Sequence, residues 1–306
     1  MSFKRTLLGS AAGAAFAAGL ALPASAQEDV APINSGNVSL SVGFDVYSQY
    51  WFRGIDQGAE QRQGLQIQPY IDIAFDLWSY EDFSLAYYFG TWNSFTTAGD
   101  TGGNWYESDI YTGFSVGLPM SFAIDFGYTL LYNPSGGGTF SQEIYFGASY
   151  DDSGFWADNG IDQWSFGGFQ PYVYVAYEAE GASDGTGSGQ SDGTYVELGF
   201  EPGFELPFSP EDYPISFSIP VAFGFSLSDF YEFDNDGDGD FDDETFGFAS
   251  VGLQFGVPLP FIPAEYGSWE ATSGITFLFL ADELADASGT GDDVAIYGNF
   301  GLSLSY

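Results

Sequence analysis

The fold this sequence predicts is all-β, a single closed barrel of antiparallel strands. Three observations predict it: apolar and polar side chains alternate with period two in about twelve segments, the connectors alternate between long and tight, and tryptophans gather near segment ends. The segments run for about 10–14 residues, against about 5–6 for an ordinary strand, and that length suits a tilted path across a bilayer. The expectation is therefore a transmembrane, up-and-down barrel. A soluble sandwich or lipocalin-like barrel also alternates and is the competing reading.

The elements follow in chain order. Lys4 and Arg5 precede an apolar stretch from Leu7 to Leu22 that ends in Pro23-Ala24-Ser25-Ala26. That pattern predicts a signal peptide over 1–26, cut after Ala26, with no basic stop signal behind it. Residues 27–36 are read as a short periplasmic segment and 37–306 as the barrel. The strands are expected near 37–50, 65–78, 83–95, 105–118, 122–133, 141–150, 169–178, 194–206, 215–229, 245–257, 269–281 and 293–306, each end uncertain by ~2–4 residues and the total between ten and fourteen. The alternation is clearest at 215–227, where Ile215, Phe217, Ile219, Val221, Phe223, Phe225 and Leu227 share one face. It recurs at the end of the chain, where Val294, Ile296, Phe300, Leu302, Leu304 and Tyr306 form one row.

Connectors 51–64, 96–104, 134–140, 179–193, 230–244 and 282–292 are long and rich in Gly, Asp, Ser and Thr. Those between them, such as Ser79–Asp82, Pro119–Ser121, Pro207–Pro214 and Pro258–Ser268, are short or proline-rich, and 151–168 breaks the rule by being long. Trp51, Trp78, Trp92, Trp105 and Trp269 fall near strand ends, with Trp156 and Trp164 in the irregular connector, which is read as an aromatic girdle at the two interfaces. An even strand number places both termini and the tight turns on the periplasmic side of a bacterial outer membrane. Tyr306, ending the last apolar row, resembles the terminal aromatic residue such proteins present to the barrel-assembly machinery.

Composition narrows the chemistry. The chain has 306 residues with 43 acidic and 4 basic side chains, and neither His nor Cys. Past the signal segment only Arg53 and Arg62 are basic, which excludes nucleic acid as a partner because phosphate binding needs Lys and Arg. The lack of His and Cys excludes disulfides, thiolate catalysis and His-based triads. Gly189-Gln190-Ser191-Asp192-Gly193 fits a nucleophile-elbow string but lies in a Gly/Ser tract with no base, so no enzyme is expected.

If the apolar row faces lipid, then Asp45, Asp72, Asp76, Asp109, Asp125, Glu143, Glu178, Glu197, Glu201 and Glu205 face the lumen, with no Lys or Arg on that face. Carboxylates in a wet lumen make a cation-favouring pore. The plainer reading is that they solvate a plugged lumen, since about twelve strands lies between a filled barrel and an open one.

The stretch Phe44-Asp45-Val46-Tyr47-Ser48-Gln49-Tyr50-Trp51-Phe52-Arg53-Gly54-Ile55, followed by Gln66-Ile67-Gln68-Pro69-Tyr70, resembles the opening of the TorF-type porins. Ser48, Tyr50, Arg53, Gly54, Gln68 and Pro69 match that family's pattern, over about the first two strands, residues 38–77. The resemblance implies an outer-membrane, porin-like barrel for passive diffusion of small ions or solutes, leaning to cations on the acidic lumen. Arg53 is read either as pinning the first loop to a lumen carboxylate such as Asp45 or Asp72, or as a solvated loop charge.

The loop Asp234-Asn235-Asp236-Gly237-Asp238-Gly239-Asp240-Phe241-Asp242-Asp243-Glu244 carries a calcium-loop spacing in Asp234, Asp236, Asp238, Asp240 and Asp242, with Gly239 at the sixth place. Thr245 stands where a bidentate Glu belongs, and flanking helices are not predicted. No cofactor is required, and Ca²⁺ in this loop competes with a solvated acidic loop. Acidic loops that attract Ca²⁺ and Mg²⁺ among anionic surface lipids would suit the second function: a non-conducting structural or adhesive barrel. The acidity also suits a saline habitat. Association of barrels into a homo-oligomer is left open by the sequence.

Overall fold

A computed structural model describes residues 37–57, 64–98, 104–135, 137–161, 165–181, 192–210, 213–234, 241–287 and 292–306. The segments 1–26 and 27–36 lie outside the described residues. The barrel has twelve strands: β1 (Val38–Tyr47), β2 (Gln66–Tyr80), β3 (Phe83–Thr96), β4 (Trp105–Gly117), β5 (Phe122–Asn133), β6 (Gly138–Tyr150), β7 (Tyr172–Gly181), β8 (Thr194–Phe200 with Gly203–Glu205), β9 (Ser216–Ser218 with Val221–Ser228), β10 (Phe246–Pro258), β11 (Ser268–Leu280) and β12 (Val294–Ser305). Each strand pairs antiparallel with its chain neighbours. The sheet closes where β1 meets β12, Val46 opposite Phe300 and Phe44 opposite Leu302. Closure removes both edges of the sheet, as a hydrocarbon surround demands.

The two broken strands have a common cause. Pro202 interrupts β8 and Pro220 interrupts β9, and proline cannot donate to a ladder. The breaks sit side by side, and the Ile219 N–H bonds the Pro202 carbonyl at 3.1 Å to carry the pairing across. Elsewhere the predicted strands shift by a few residues: β6 begins at Gly138 and β7 runs from Tyr172 to Gly181.

The apolar row faces outward. Ile67, Ile71, Phe89, Ile110, Phe126, Ile144, Leu198, Ile275 and Phe300 are all exposed, from strands around the whole ring. A belt that size exceeds what soluble monomers leave in water and is the surface of a barrel solvated by hydrocarbon. Trp78, stacked on Tyr80, and Trp105, stacked on Phe95, are exposed near opposite ends of the barrel, in interfacial positions. Trp51 and Trp92 depart from the predicted girdle. Trp92 lies within β3 on the inward face, and Trp51 follows β1 into the lumen, so both are buried. Trp164 lies outside the described residues.

One end of the barrel carries the turns and the other the long loops. The long connector at the turn end, 151–171, holds the short helix α1 (Ser153–Asp158). Its Asp152 carboxylate accepts from the Phe169 and Gln170 amides at 2.8 and 2.9 Å and from the Trp156 indole at 2.6 Å. That one buried acid organises an aromatic cluster of Trp156, Phe166 and Phe169, with Phe155 exposed beside it. A second short helix, α2 (Asp282–Ala287), lies in the last connector at the loop end.

Candidate functional site: the two halves of the lumen

The lumen is lined by the polar row, as its alternation requires, and tyrosines share that row with the acids. Asp109, Asp125, Glu143 and Glu178 are all 1% exposed or less. Burying a carboxylate is costly unless donors reach it, and phenols supply many of them. Tyr111 donates to Asp72. Tyr195 and Tyr172 donate to the two oxygens of Glu197 at 2.6 and 2.7 Å. Serines do the same for Glu178 (Ser141), Glu201 (Ser218) and Glu205 (Ser165). Asp76 is exposed at the turn-end rim, and Asp125 pairs across the ladder with Ser115.

Glycines make room for the tyrosine rings. A Cβ on Gly127 would lie 2.5 Å from the Tyr145 hydroxyl oxygen, and one on Gly199 2.4 Å from that of Tyr172. Inward glycines on one strand thus let rings from a neighbouring strand lie against the wall. The Tyr88 and Tyr145 hydroxyls then meet at 2.5 Å across the lumen wall.

At the loop end a hairpin occupies the lumen. After β1 the chain forms a tight hairpin, Trp51–Phe52 against Ile55–Asp56. Its two central residues, Arg53 (φ 50°) and Gly54 (φ 82°), both occupy the left-handed region, as a type I′ turn requires. The tip enters the barrel: Gly54 packs under Phe248 of β10 and Leu284 of α2. Tyr50, Trp51, Phe52 and Ile55 are buried, joined by Phe230, Tyr231 and Phe233 from the connector after β9. Arg53 forms a two-pronged ion pair with Glu143 of β6, both bonds 2.7 Å, with the side chains 7% and 2% exposed. Its guanidinium lies over the rings of Tyr195 (4.5 Å), Phe52 (4.6 Å) and Phe230 (5.2 Å). The Tyr231 hydroxyl donates to the Arg53 carbonyl at 2.7 Å. Tyr50 donates to Glu107 at 2.8 Å; burial first and then that carboxylate push the phenol well above its ordinary range, so it remains the donor.

Arg53 pins the first loop to a lumen carboxylate, with Glu143 as the partner rather than Asp45 or Asp72, so the reading of a solvated loop charge falls. The sequence places Arg53 in a long connector, and the entry of that segment into the barrel depends on contacts 90 and 178 residues away. Glu107, Glu270 and the lumen tyrosines were missed, although the same alternation places them in the inward row.

At the turn end the lumen opens into a cup with a cavity volume of about 130 Å³. Asp45, Glu201 and Glu270 line it together with Ser216, Ser218, Ser250, Thr272, Gln254 and Asn299, and none of its lining side chains is basic. Tyr47, Tyr172 and Tyr297 also line it, the Tyr47 and Tyr297 rings 6.2 Å apart. From Tyr172 a chain of contacts runs through Glu197 and Tyr195 to Arg53, linking cup to plug.

On the two sides of the acidic loop, Glu232–Phe233 pairs with Asp242–Asp243 in a short ribbon. Asp236, Asp238 and Asp240 lie outside the described residues, while Asp234 and Asp242 are described. Carboxylate oxygens of Asp229, Glu232 and Asp243 lie within 4.8 Å of one another.

Fold and surface define a membrane-spanning β-barrel with a loop-end plug. The chain belongs to the Gcw_chp family, bacterial proteins of unknown function, which it matches over residues 31–205. No curated protein matches the sequence. Among solved structures it is similar to the NanC porin (10% identity, TM-score 0.38, 87% of this chain and 98% of that one). It is also similar to the β domain of the Bordetella autotransporter BrkA (10%, 0.38, 89% and 99%) and to BamA from Haemophilus ducreyi lacking POTRA domains 1–3 (11%, 0.38, 89% and 70%). Similarity at that level says nothing of cargo.

Proposed function

We propose that the protein is a bacterial outer-membrane channel of the porin kind that passes small solutes, with a preference for cations, and that the plug holds it closed. The observation that carries this reading is the asymmetry of the lumen: an acid-lined cup at one end, and at the other a hairpin carrying an ion pair, Arg53–Glu143. A hairpin held through side-chain contacts such as Arg53–Glu143 can leave the lumen as a unit, whereas side chains filling it from the strands could not. Carboxylates along the wall favour cations in transit. The TorF-type resemblance of the first two strands belongs to this reading, as does a periplasmic placement of the turn end and assembly through the strand ending in Tyr306.

The test is single-channel recording of the folded protein in a planar bilayer under a salt gradient. Mostly closed wild-type channels, longer openings in Arg53→Ala and a cation-sided reversal potential are expected. An anion-sided potential would remove the cation preference, and silence of both proteins would remove the channel. The hairpin in the loop end favours a second reading, a non-conducting surface barrel whose acidic loops are braced by Ca²⁺ at Asp234–Asp242. Silent but folded protein whose loops gain protection in Ca²⁺ would favour it.

A further inference from the structure

Asp45, Glu201 and Glu270 face the turn-end cup with no cation to balance them. Glu201 is the most telling. It is 6% exposed, its Oε1 accepts from Ser218 at 2.6 Å, and its Oε2 is buried with no donor. A buried carboxylate oxygen lacking a donor is costly, and a ligand carrying N–H groups relieves that cost. The wall around it accepts more than it donates: serine and threonine hydroxyls, the Gln254 amide bonded to Asn299 at 3.1 Å, and tyrosine faces.

The spacing of the three acids sets the kind of cation. Glu201 stands on β8, Glu270 on β11 and Asp45 on β1, so the steps around the ring are three strands and two. At roughly 4.8 Å per strand these are arcs of about 14 and 10 Å. One metal ion needs its oxygens at about 2.5 Å and cannot use all three. Among the described residues, the carboxylates that do converge are Asp229, Glu232 and Asp243, at the loop end. Charges set far apart along a flexible chain fit instead, with methylenes against Tyr47, Tyr172 and Tyr297.

We propose that the turn-end cup is a binding site for linear aliphatic cations carrying two or more ammonium groups. Service as a station on a transport path rests on the channel reading above, but the binding itself does not. Glu201 takes one ammonium through Oε2, while Glu270 and Asp45 take the others nearer the mouth and the tyrosines.

The experiment is calorimetric titration of the folded full chain in detergent with spermidine, with folding checked by heat-modifiable gel mobility. Saturable one-to-one binding is expected, weakened about tenfold in Glu201→Gln, the loss of one well-placed charge contact. Glu270→Gln, at a less deeply buried site, is expected to weaken it several-fold and guards against a misfolded Glu201 variant. Mg²⁺ at equal concentration is expected to compete poorly. Non-saturating uptake that falls equally with salt in all three proteins would overturn the site. Mg²⁺ competing as well as spermidine would overturn the organic class. Spermidine binding without conductance keeps the site and removes the channel; conductance without binding does the reverse.

Discussion

The two halves of the lumen are built from the same inward row, yet they solve the cost of burial differently. The loop half packs Tyr50, Trp51, Phe52, Phe230 and Tyr231 into the lumen and sets one arginine, Arg53, against Glu143. The turn half keeps three carboxylates around a cup and leaves the balance to whatever enters. The difference teaches where a plugged barrel stores stability and where it stores affinity.

The largest effect is expected from unbalancing the loop half. Glu143→Ala leaves the Arg53 guanidinium buried without its carboxylate and is expected to cost about 3–5 kcal/mol in urea unfolding from micelles. Replacing both partners, Arg53→Met with Glu143→Leu, is expected to recover most of that loss. If the double variant is no better than the single one, the pair is not the main bond of the plug. Next comes the wall. Gly127→Val pushes a side chain into Tyr145 and is expected to cost about 1–3 kcal/mol, whereas Gly154→Ala, with nothing within 4 Å, is expected to cost little. Tyr195→Phe removes one donor from Glu197 and leaves Tyr172 in place, for an expected loss of about 1–3 kcal/mol in the same assay.

The smallest effect is a pH dependence at the loop end. Burial first, then Glu283 and Asp242, raise Glu244 above its ordinary value of 4.5. A raised carboxylate binds its proton more tightly in the folded protein. Its favourable contribution is therefore present below pH 4.5 and is lost as pH rises through the higher folded value. Exposed groups are strongly screened, so the change should be local. Amide exchange in 241–247 and 281–287 is expected to quicken as pH rises through that window, beyond the intrinsic rate, and Glu283→Gln to reduce the change.

Much of this architecture was legible because period two is a local signal. Twelve segments, the outward apolar row and the inward acids all follow from neighbours one or two positions apart, although 194–206 and 215–229 read as unbroken strands through Pro202 and Pro220. The plug was not legible. The segment 51–64 reads as one long loop, and nothing near Arg53-Gly54 says that it turns and dips into the lumen, since its partners lie on β6, β8, β10 and α2. Trp51 and Trp92 mislead for the same reason. An indole near a strand end serves an interface or a core equally well, and only the face it occupies decides. The acidic loop gave a cation-binding spacing without the ribbon on its two sides.

The latch also has a consequence for assembly. The seam joins the first strand to the last, so Val46 meets Phe300 only when the whole chain is present. The hairpin that carries Arg53 hangs from the first strand, while its contacts come from the sixth, eighth and tenth. A slip of one residue at the seam would turn every side chain of the first strand to the other face. The hairpin would then start from the wrong side of the wall, and the arginine would miss its glutamate. Burial of one guanidinium thus inspects the closure of the entire ring, and a barrel sealed out of register would be left with an unfinished, water-soaked interior that proteases can recognise.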